Sequence, residues 1–232
     1  MIAKIKKGWR RLKIVFLYGV EGINTLPMKF IGSNYGGFYI YTPVFPHNGR
    51  IYSCGIGEDI SFDKEMIAKY NAKVFGFDPT PKSISWMDKQ EKSLNFIFFS
   101  YGISDKDGEE SFNLPLNENY VSGSVVTHEN QGKKIIVPMK KISTLMKELG
   151  HEKLHLLKMD IEGSEFKVID NILEEKIEID QICLEIHDRY FEDGKKRVRS
   201  LMRKIRKGGY TLAYISDDNL LTFVRSDLIN RR

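Results

Sequence analysis

The chain has 232 residues, of which 41% are hydrophobic and 29% are charged, so it is long enough to bury a sizeable core in one globular domain. Its two cysteines, Cys54 and Cys183, lie in apolar strand-like runs, which argues against a disulfide-held secreted fold, and no apolar run reaches the roughly 18 residues of a spanning helix. The net charge of +5 favours acidic partners such as nucleic acid, anionic glycans or lipid head groups without choosing among them.

Residues 1–48 are expected to form a lead-in segment to one domain over residues 49–232. The lead-in begins with a basic and partly apolar stretch, residues 1–20, which lacks the small-residue cleavage site of a signal peptide, so we predict a cytoplasmic protein. This stretch is expected to pack on the domain as a helix or strand, with peripheral contact to a membrane surface as the alternative. A short edge strand is predicted at residues 38–41.

From residue 49 onwards, short apolar runs alternate with segments of helical periodicity. Strands are predicted at residues 51–54, 73–77, 94–99, 134–138, 154–159, 181–186, 210–216 and 220–225. Helices are predicted at residues 63–70, 142–149, 165–173 and 198–207, and a loop or an added hairpin at residues 105–132. The alternation, followed by two consecutive strands, predicts an α/β fold with a mostly parallel sheet, helices on both faces and an antiparallel C-terminal edge.

In such a sheet a ligand binds beyond the carboxyl ends of the strands, so the residues at those ends are the candidates for function. The first strand of the alternating region runs into a turn that contains Gly55 and Gly57, and glycines permit a sharp turn and close approach of a ligand to the backbone. Asp78 ends the next strand, where an ionised carboxylate can accept two hydrogen bonds from a ribose diol. Proteins that bind NAD and proteins that bind S-adenosyl-L-methionine share this ribose signal.

The residues that follow the turn separate these two cofactors. A dinucleotide fingerprint calls for a third glycine where this chain has Ile60, and Glu58 and Asp59 would place anions beside a pyrophosphate at an electrostatic cost. S-adenosyl-L-methionine carries a sulfonium and an ammonium group, and acids beside the turn suit both. We therefore expect S-adenosyl-L-methionine, with an NAD-linked oxidoreductase as a rival interpretation.

Acidic residues and a histidine end the next two strands of the predicted sheet. Asp160 is expected to face the methyl-donor pocket, while Glu162 and Glu165 also suit an acidic first helical turn. Glu185 and His187 are two residues apart and share one face of their strand. His187 is the best candidate general base because the usual histidine pKa lies near neutrality, with Asp160 as the other candidate base, and a structural histidine is the alternative. Four of these side chains also permit a divalent-metal site, which we do not favour: Asp160, Glu162, Glu185 and His187.

The predicted helix at residues 198–207 is strongly basic. Val198, Leu201, Met202 and Ile205 fall on one stripe, so the lysines and arginines are expected to form the solvated outer face of a packed helix. No aromatic interleaving or RNA-binding signature accompanies them, so we expect no nucleic-acid partner. A nucleic-acid methyltransferase is the weakest alternative.

Six segments, GIGED, FGFDPTP, YGISDKDG, LLKMDIEGSEFKVI, CLEIH and NLLTFVR, occur in this order between residues 49 and 225. Together they resemble the FkbM family of S-adenosylmethionine-dependent methyltransferases, and KMDIEGSE is the most specific piece. The resemblance implies a class I methyltransferase Rossmann-like fold with a seven-strand sheet. It also implies O-methylation of a hydroxyl, often on a sugar or a polyketide-type natural product.

The resemblance also implies roles for the residues at the strand ends. The methionine part of the cofactor would be lined by Gly55 and Gly57, the ribose held by Asp78, and the adenine bound near Ser104 and Asp105. The acceptor pocket would be bordered by the acids and the histidine of the later strands, Asp160, Glu162, Glu185 and His187.

This chain departs from the family pattern at two positions. Ser53 stands where the family often has an aspartate before the turn, and Asp59 stands at a position often held by glycine, so Glu58 or Asp59 is expected to contact the methionine amine instead. The resemblance thus predicts an O-methyltransferase that acts on a sugar hydroxyl of a glycan or of a glycosylated natural product. A non-catalytic methyltransferase-like scaffold in an assembly complex is the main alternative.

Overall fold

The computed structural model describes residues 26–91, 93–116, 123–124, 126, 131–216 and 219–229. The strands in this part of the chain are β1 (Lys29–Ile31), β2 (Phe38–Ile40), β3 (Arg50–Cys54), β4 (Lys73–Phe77), β5 (Phe96–Phe99), β6 (Gly102–Ile103), β7 (Gly108–Pro115), β8 (Gln131–Lys140), β9 (Leu156–Met159), β10 (Gln181–Glu185), β11 (Tyr210–Ile215) and β12 (Leu220–Arg225). The α-helices there are α1 (Ser61–Tyr70), α2 (Pro81–Met87), α3 (Ile142–Glu148), α4 (Glu165–Glu174), α5 (Gly194–Lys207) and α6 (Ser226–Ile229). Short 3-10 helices occupy Thr42–Val44 and Asp188–Tyr190.

Seven strands form one central sheet in the order β11-β12-β10-β9-β3-β4-β5. Neighbouring strands are parallel except at β12, which runs antiparallel to both β10 and β11. The direction in which successive strands are added reverses between β3 and β9, because β4 and β5 extend the sheet on one side and β10 on the other. This is the predicted class I methyltransferase fold, and ligands in such sheets bind beyond the carboxyl ends of the strands at the point of reversal.

The C-terminal edge of the sheet is antiparallel, as the sequence predicts. The edge strand β11 is parallel to β10, and β12 is inserted between them with hydrogen bonds to both. Helix α5 connects β10 to β11 as a crossover, which keeps those two strands parallel, and β12 lies antiparallel in the gap between them.

Alternate residues of the central strands face two different cores, as the side-chain period of a strand requires. Tyr52 and Leu157 belong to the core covered by α4 and α5. Leu156 and Cys183 belong to the core covered by α1 and by the β1–β2 hairpin. Cys54 and Cys183 are both buried free thiols.

The β1–β2 hairpin is joined to the central sheet by hydrogen bonds. The Gln181 side chain accepts from the Tyr41 backbone N–H at 2.9 Å and donates to the Tyr41 carbonyl at 3.0 Å, and the Thr222 hydroxyl donates to the carbonyl of Tyr39. The strand predicted at residues 38–41 therefore forms, as β2 of a separate two-stranded sheet. It places the loop between β1 and β2 over the carboxyl end of β3, beside the glycine turn.

Two elements were not assigned from the sequence. Helix α2 begins after Thr80, whose side chain accepts from the Ser83 backbone N–H at 3.3 Å, with a proline in the first turn. The polar region predicted as a loop or hairpin contains β7, which pairs with an extended β8 in a three-stranded sheet that also includes β6.

Residues 1–25, including the whole basic stretch and its alternative membrane contact, lie outside the described residues. Of the helices in the described ranges, none combines the length and apolar character needed to cross a membrane. The domain boundary at residue 48 stays a prediction.

Candidate active site

A cavity opens at the carboxyl ends of β3, β4 and β9, where the strand order reverses. It encloses about 760 Å³ of empty space, including the part open to solvent. Its walls come from the loop after β1, the turn after β3, the end of β4, the added sheet and the end of β9. The described lining residues are Tyr35, Gly36, Gly55, Ile56, Gly57, Asp59, Phe77, Asp78, Pro79, Thr80, Gly102, Ile103, Phe112, Gly123, Met139, Lys158, Asp160, Ile161, Glu162 and Ser164.

The turn after β3 brings the ends of β3 and β9 into direct contact. Gly55 has a φ of 80°, and a Cβ atom on it would lie 1.7 Å from the carbonyl oxygen of Asp160, so only glycine fits. Gly57 has a φ of 57°, and its N–H donates to Oδ2 of Asp78 at 2.9 Å. The two glycines therefore shape the turn, and the second also fixes Asp78.

Asp78 is 4% exposed, and its carboxyl group is held by the backbone around it. Besides Gly57, the Thr80 N–H and hydroxyl donate to Oδ1 at 2.8 and 2.6 Å. Burial raises the pKa of Asp78, and these hydrogen bonds oppose that rise. A carboxylate offers about four acceptor positions, so this arrangement leaves about one, on Oδ2, for a ribose hydroxyl.

The two acids after the glycine turn have different environments. Oδ1 of Asp59 accepts from the Ser61 N–H at 2.6 Å, and Oδ2 accepts from the Ser33 hydroxyl. Burial alone would raise the pKa of Asp59, but these hydrogen bonds hold it below its usual value. Asp59 lines the cavity, whereas Glu58 lies 3.4 Å from the ammonium of Lys82. Asp59 is therefore the one placed to meet a cationic ligand.

His187 lies at the centre of an acidic cluster at the ends of β9 and β10. The side chain is 1% exposed, and Nδ1 lies 2.7 Å from Oε1 of Glu165, to which it donates because a carboxylate only accepts. Nε2 lies 3.2 Å from Glu162, 3.6 Å from Asp160 and 3.7 Å from Glu185. Glu162 approaches from a left-handed backbone conformation with a φ of 51°, which is uncommon for a residue other than glycine.

This cluster shifts the pKa values of its members. Burial would lower the pKa of His187, but Glu165, Glu162 and Asp160 raise it to about 9, so the imidazole is protonated at neutral pH. Burial and the charge of Glu185 raise the pKa of Asp160 to about 7. Oδ1 of Asp160 is buried beside Nε2 of His187 without a hydrogen-bond partner among the described residues, whereas the side chain as a whole is 34% exposed, so a ligand would meet the carboxyl group at Oδ2.

Ser104 and Asp105, which we predicted near the adenine, contact a surface ion network. Nζ of Lys167 lies 3.0 Å from the Ser104 hydroxyl and 3.3 Å from Asp105, and the Ser104 hydroxyl also donates to Glu110. The cavity wall at this end is instead formed by largely apolar residues, Gly102, Ile103, Phe112 and Met139.

A lysine and an aspartate that were not singled out from the sequence are buried beside the turn. Lys158 is 2% exposed in β9, and its ammonium lies 5.3 Å from the ring centre of Phe38 and 6.0 Å from that of Phe62. Asp63 of α1 is fully buried, and neither of its oxygens has a hydrogen-bond partner among the described residues. Ser53, where the family often has an acid, is also fully buried with an unpartnered hydroxyl by the same criterion.

Comparison with known proteins decides what kind of domain surrounds this cavity. Residues 49–212 match the family model described as the methyltransferase FkbM domain. The chain belongs to the FkbM methyltransferase family. Probable methyltransferase-like protein 24 of Homo sapiens is 28% identical over 140 residues, which cover 60% of this chain and 32% of that protein. Its counterpart of Rattus norvegicus is 26% identical over the same length and coverage, so this chain matches about a third of these curated relatives.

Two solved structures have a distantly similar fold. The fibrillarin pre-rRNA processing protein of Methanococcus jannaschii is 10% identical, with 89% of this chain and 86% of that chain covered and a TM-score of 0.46. The Aeropyrum pernix fibrillarin, in complex with natively bound S-adenosyl-L-methionine, is 8% identical, with 89% and 85% covered and a TM-score of 0.44.

The FkbM domain also has a set of side chains that could hold a metal ion. Asp160, Glu185 and His187 each offer one ligand atom, and these atoms lie within 4.8 Å of one another. Oxygen and imidazole ligands suit divalent ions, and Glu165 on Nδ1 is the kind of outer carboxylate that orients a metal-binding histidine. His187 would first have to release its Nε2 proton, which its raised pKa opposes. A divalent-metal site therefore stays the alternative that we do not favour.

Some site residues of this FkbM domain carried a sequence signal that was not used. Lys158 is a charged residue within the apolar run Leu156–Met159, and a charge in a strand buried on both faces is unusual. Glu165 was read as part of an acidic helix start, but it is fully buried and anchors His187. Its carboxylate also accepts the backbone N–H groups of Ile161 and Gly163, at 3.2 and 3.0 Å.

Proposed function

We propose that this chain is an S-adenosyl-L-methionine-dependent O-methyltransferase whose acceptor is a sugar hydroxyl of a glycan or of a glycosylated natural product. The observation that carries the proposal is the cavity at the strand-order reversal of an FkbM domain, with Asp78 on one wall and Asp160 on another. A hydroxyl acceptor needs a proton acceptor close to the methyl donor, and Asp160 is the lining residue that suits this role.

The charges around the cavity suit a cationic cofactor. Four carboxyl groups, those of Asp160, Glu162, Glu165 and Glu185, surround the imidazolium of His187, and Arg189 lies 4.0 Å from Glu162, so acids outnumber cations by four to two. An uncompensated carboxylate in a partly dehydrated site is costly, and a positive ligand relieves that cost. When bound, S-adenosyl-L-methionine supplies a methyl group made electrophilic by a positively charged sulfur.

Within this cluster Asp160 is better suited than His187 to remove the proton of the acceptor hydroxyl. His187 is protonated at neutral pH and has no free lone pair, because Nδ1 donates to Glu165 and its raised pKa keeps Nε2 protonated. The pKa of Asp160 lies near 7, so its carboxyl group can be ionised at neutral pH and still bind a proton well, and its side chain is 34% exposed and lines the cavity. We therefore assign the base to Asp160 and a positioning role to His187, while alignment of the acceptor supplies most of the remaining rate enhancement.

A sugar acceptor is supported by the residues at the mouth of the cavity. The Tyr35 side chain lines the cavity and is 77% exposed, so its ring is available to stack on a sugar face. The Tyr190 hydroxyl donates to Glu162 at 2.6 Å, which orients a carboxylate that can accept from a sugar hydroxyl. These contacts suit a neutral polyol.

The proposal is tested by titration calorimetry followed by a transfer assay. The purified chain is expected to bind S-adenosylhomocysteine and to show no measurable affinity for NAD. It is then expected to transfer tritiated methyl groups from the cofactor to at least one member of a panel of sugars and glycosylated small molecules. Binding without transfer to any hydroxyl acceptor would favour the scaffold interpretation, and tight NAD binding would favour an oxidoreductase.

Replacing Asp78 with asparagine is expected to weaken S-adenosylhomocysteine binding by about 30-fold, because a charged acceptor for the ribose is lost. In the wild-type chain the Gly57 N–H and the Thr80 N–H and hydroxyl all donate to the Asp78 carboxylate. In the variant at least one of these donors would face the asparagine NH2, which is also a donor. Calorimetry measures the change, and 5′-methylthioadenosine should lose affinity equally since it has the same ribose. The matched control is Asp88→Asn, at an exposed aspartate after α2. Unchanged affinity in a folded Asp78→Asn protein would contradict the assignment.

A further inference from the structure

Lys158 is the single residue with a cationic side chain among the described residues that line the cavity. In the sheet register it lies beside Ser53 of β3 and Cys183 of β10, and it shares its face of β9 with Asp160 two residues later. It therefore points to the side of the sheet covered by α1 and the β1–β2 hairpin, next to the glycine turn.

The ammonium of Lys158 is buried without a close anion. Its contacts in the described part of the chain are the ring faces of Phe38 and Phe62, with no carboxylate oxygen within 4.0 Å and no hydrogen bond. Ring faces attract a cation, but they replace only part of the hydration lost on burial. A charged group in this state favours the binding of an anion from the cavity.

Three carboxyl groups interact electrostatically with the buried ammonium of Lys158. Its charge lowers the pKa of fully buried Asp63 against the rise caused by burial, and it acts in the same direction on Asp59 and Asp160. Burial nevertheless leaves the pKa of Asp63 raised, whereas the pKa of Asp59, which lines the cavity with Lys158, is lowered. One end of the cavity therefore presents a cation and an anion together.

We propose that Lys158 binds the carboxylate of the cofactor's methionine end, while Asp59 accepts hydrogen bonds from the ammonium of that same end. This inference rests on the proposed cofactor. An amino-acid end is a zwitterion, and a cavity with acids alone would attract its ammonium but repel its carboxylate. Asp78, held by Gly57, marks the opposite side of the glycine turn for the ribose, which leaves the Asp59–Lys158 side for the amino acid.

The inference is tested by calorimetry on the full chain with three probes. These are S-adenosyl-L-methionine, decarboxylated S-adenosylmethionine, which keeps the sulfonium and the amine, and 5′-methylthioadenosine, which lacks the amino-acid end. The wild-type chain is expected to bind S-adenosyl-L-methionine about 30-fold more tightly than its decarboxylated form, since one charge-assisted contact is lost. Lys158→Met is expected to abolish that preference and to leave the affinity for 5′-methylthioadenosine unchanged.

The matched control is Lys204→Met, at a half-exposed lysine that pairs with Asp170 on the surface, and it should keep the wild-type preference. A Lys158→Met protein that still prefers the carboxylated cofactor overturns the inference. So does a wild-type chain that binds both forms equally, and this comparison decides the matter even if the variant does not fold. If the wild-type chain binds none of the three adenosyl compounds, the proposed cofactor itself is wrong.

Discussion

An Asp160→Asn protein is expected to lose about 1000-fold in kcat for methyl transfer, within the usual range for removal of a general base. An amide cannot take up the hydroxyl proton. Affinity for S-adenosylhomocysteine is expected to change little, because that compound is uncharged at sulfur and gains little from the carboxylate. Single-turnover transfer measures the rate, and calorimetry measures the affinity.

Stability separates this loss of rate from misfolding. The pKa of Asp160 is raised to about 7, so the fold favours its neutral form, and the amide resembles that form. The variant is therefore expected to unfold at no lower temperature than wild type at pH 8. Asp170→Asn, at a surface acid paired with Lys204, is the matched control and should retain full activity. If Asp160→Asn keeps wild-type kcat while His187→Gln loses it, the base is His187.

The free energy of unfolding is expected to fall by about 3 kcal/mol between pH 6.5 and 9 through His187 alone. The pKa of His187 is about 9 in the folded protein against an ordinary value of 6.5, because the surrounding acids outweigh burial. A raised pKa means that the stabilisation is complete below pH 6.5 and is lost as the pH rises through 9. Asp160 adds to the fall mainly below pH 7, so the window from 7 to 9 isolates the histidine.

Urea unfolding at pH 7, 8 and 9 measures this dependence. His187→Gln should remove the slope in that window. His151→Gln is the control, because burial and the charge of Arg50 lower the pKa of His151 to about 4, and the group is neutral throughout the window. A His187→Gln protein that keeps the wild-type slope would show that the imidazole is not protonated in the folded chain.

Most elements of the fold were predictable because their signals are local. Strands β4 and β12 begin and end where the sequence predicts, since each is an apolar run bounded by polar or turn residues. Helix α2 was missed although Thr80 and Pro81 are a typical helix start, because the segment is short and its polar residues weaken the helical period. The antiparallel C-terminal edge was predicted, but the order of β11 and β12 within it was left open, since strand order depends on a crossover and not on any local pattern.

Some residues of the candidate site were likewise predictable from local sequence, and others were not. Residues directly at strand ends, such as Gly55, Asp78 and Asp160, could be named from position alone, because parallel strands end at one edge of a sheet. Ser104 and Asp105 also follow a strand, yet their contacts are with Lys167 and Glu110, since β6 belongs to the added sheet and not to the central one.

For this protein, residue patterns alone determine the alternation of strands and helices, the glycine turn with its acids, and the family. They do so because periodicity, turn chemistry and motif spacing are properties of neighbouring residues. Tertiary structure decides the charge states and the partners: His187 becomes a protonated group anchored by Glu165, and Lys158 becomes a buried cation at the cavity wall. Burial and the distances between charges from different elements set these properties, and neither exists until the chain has folded.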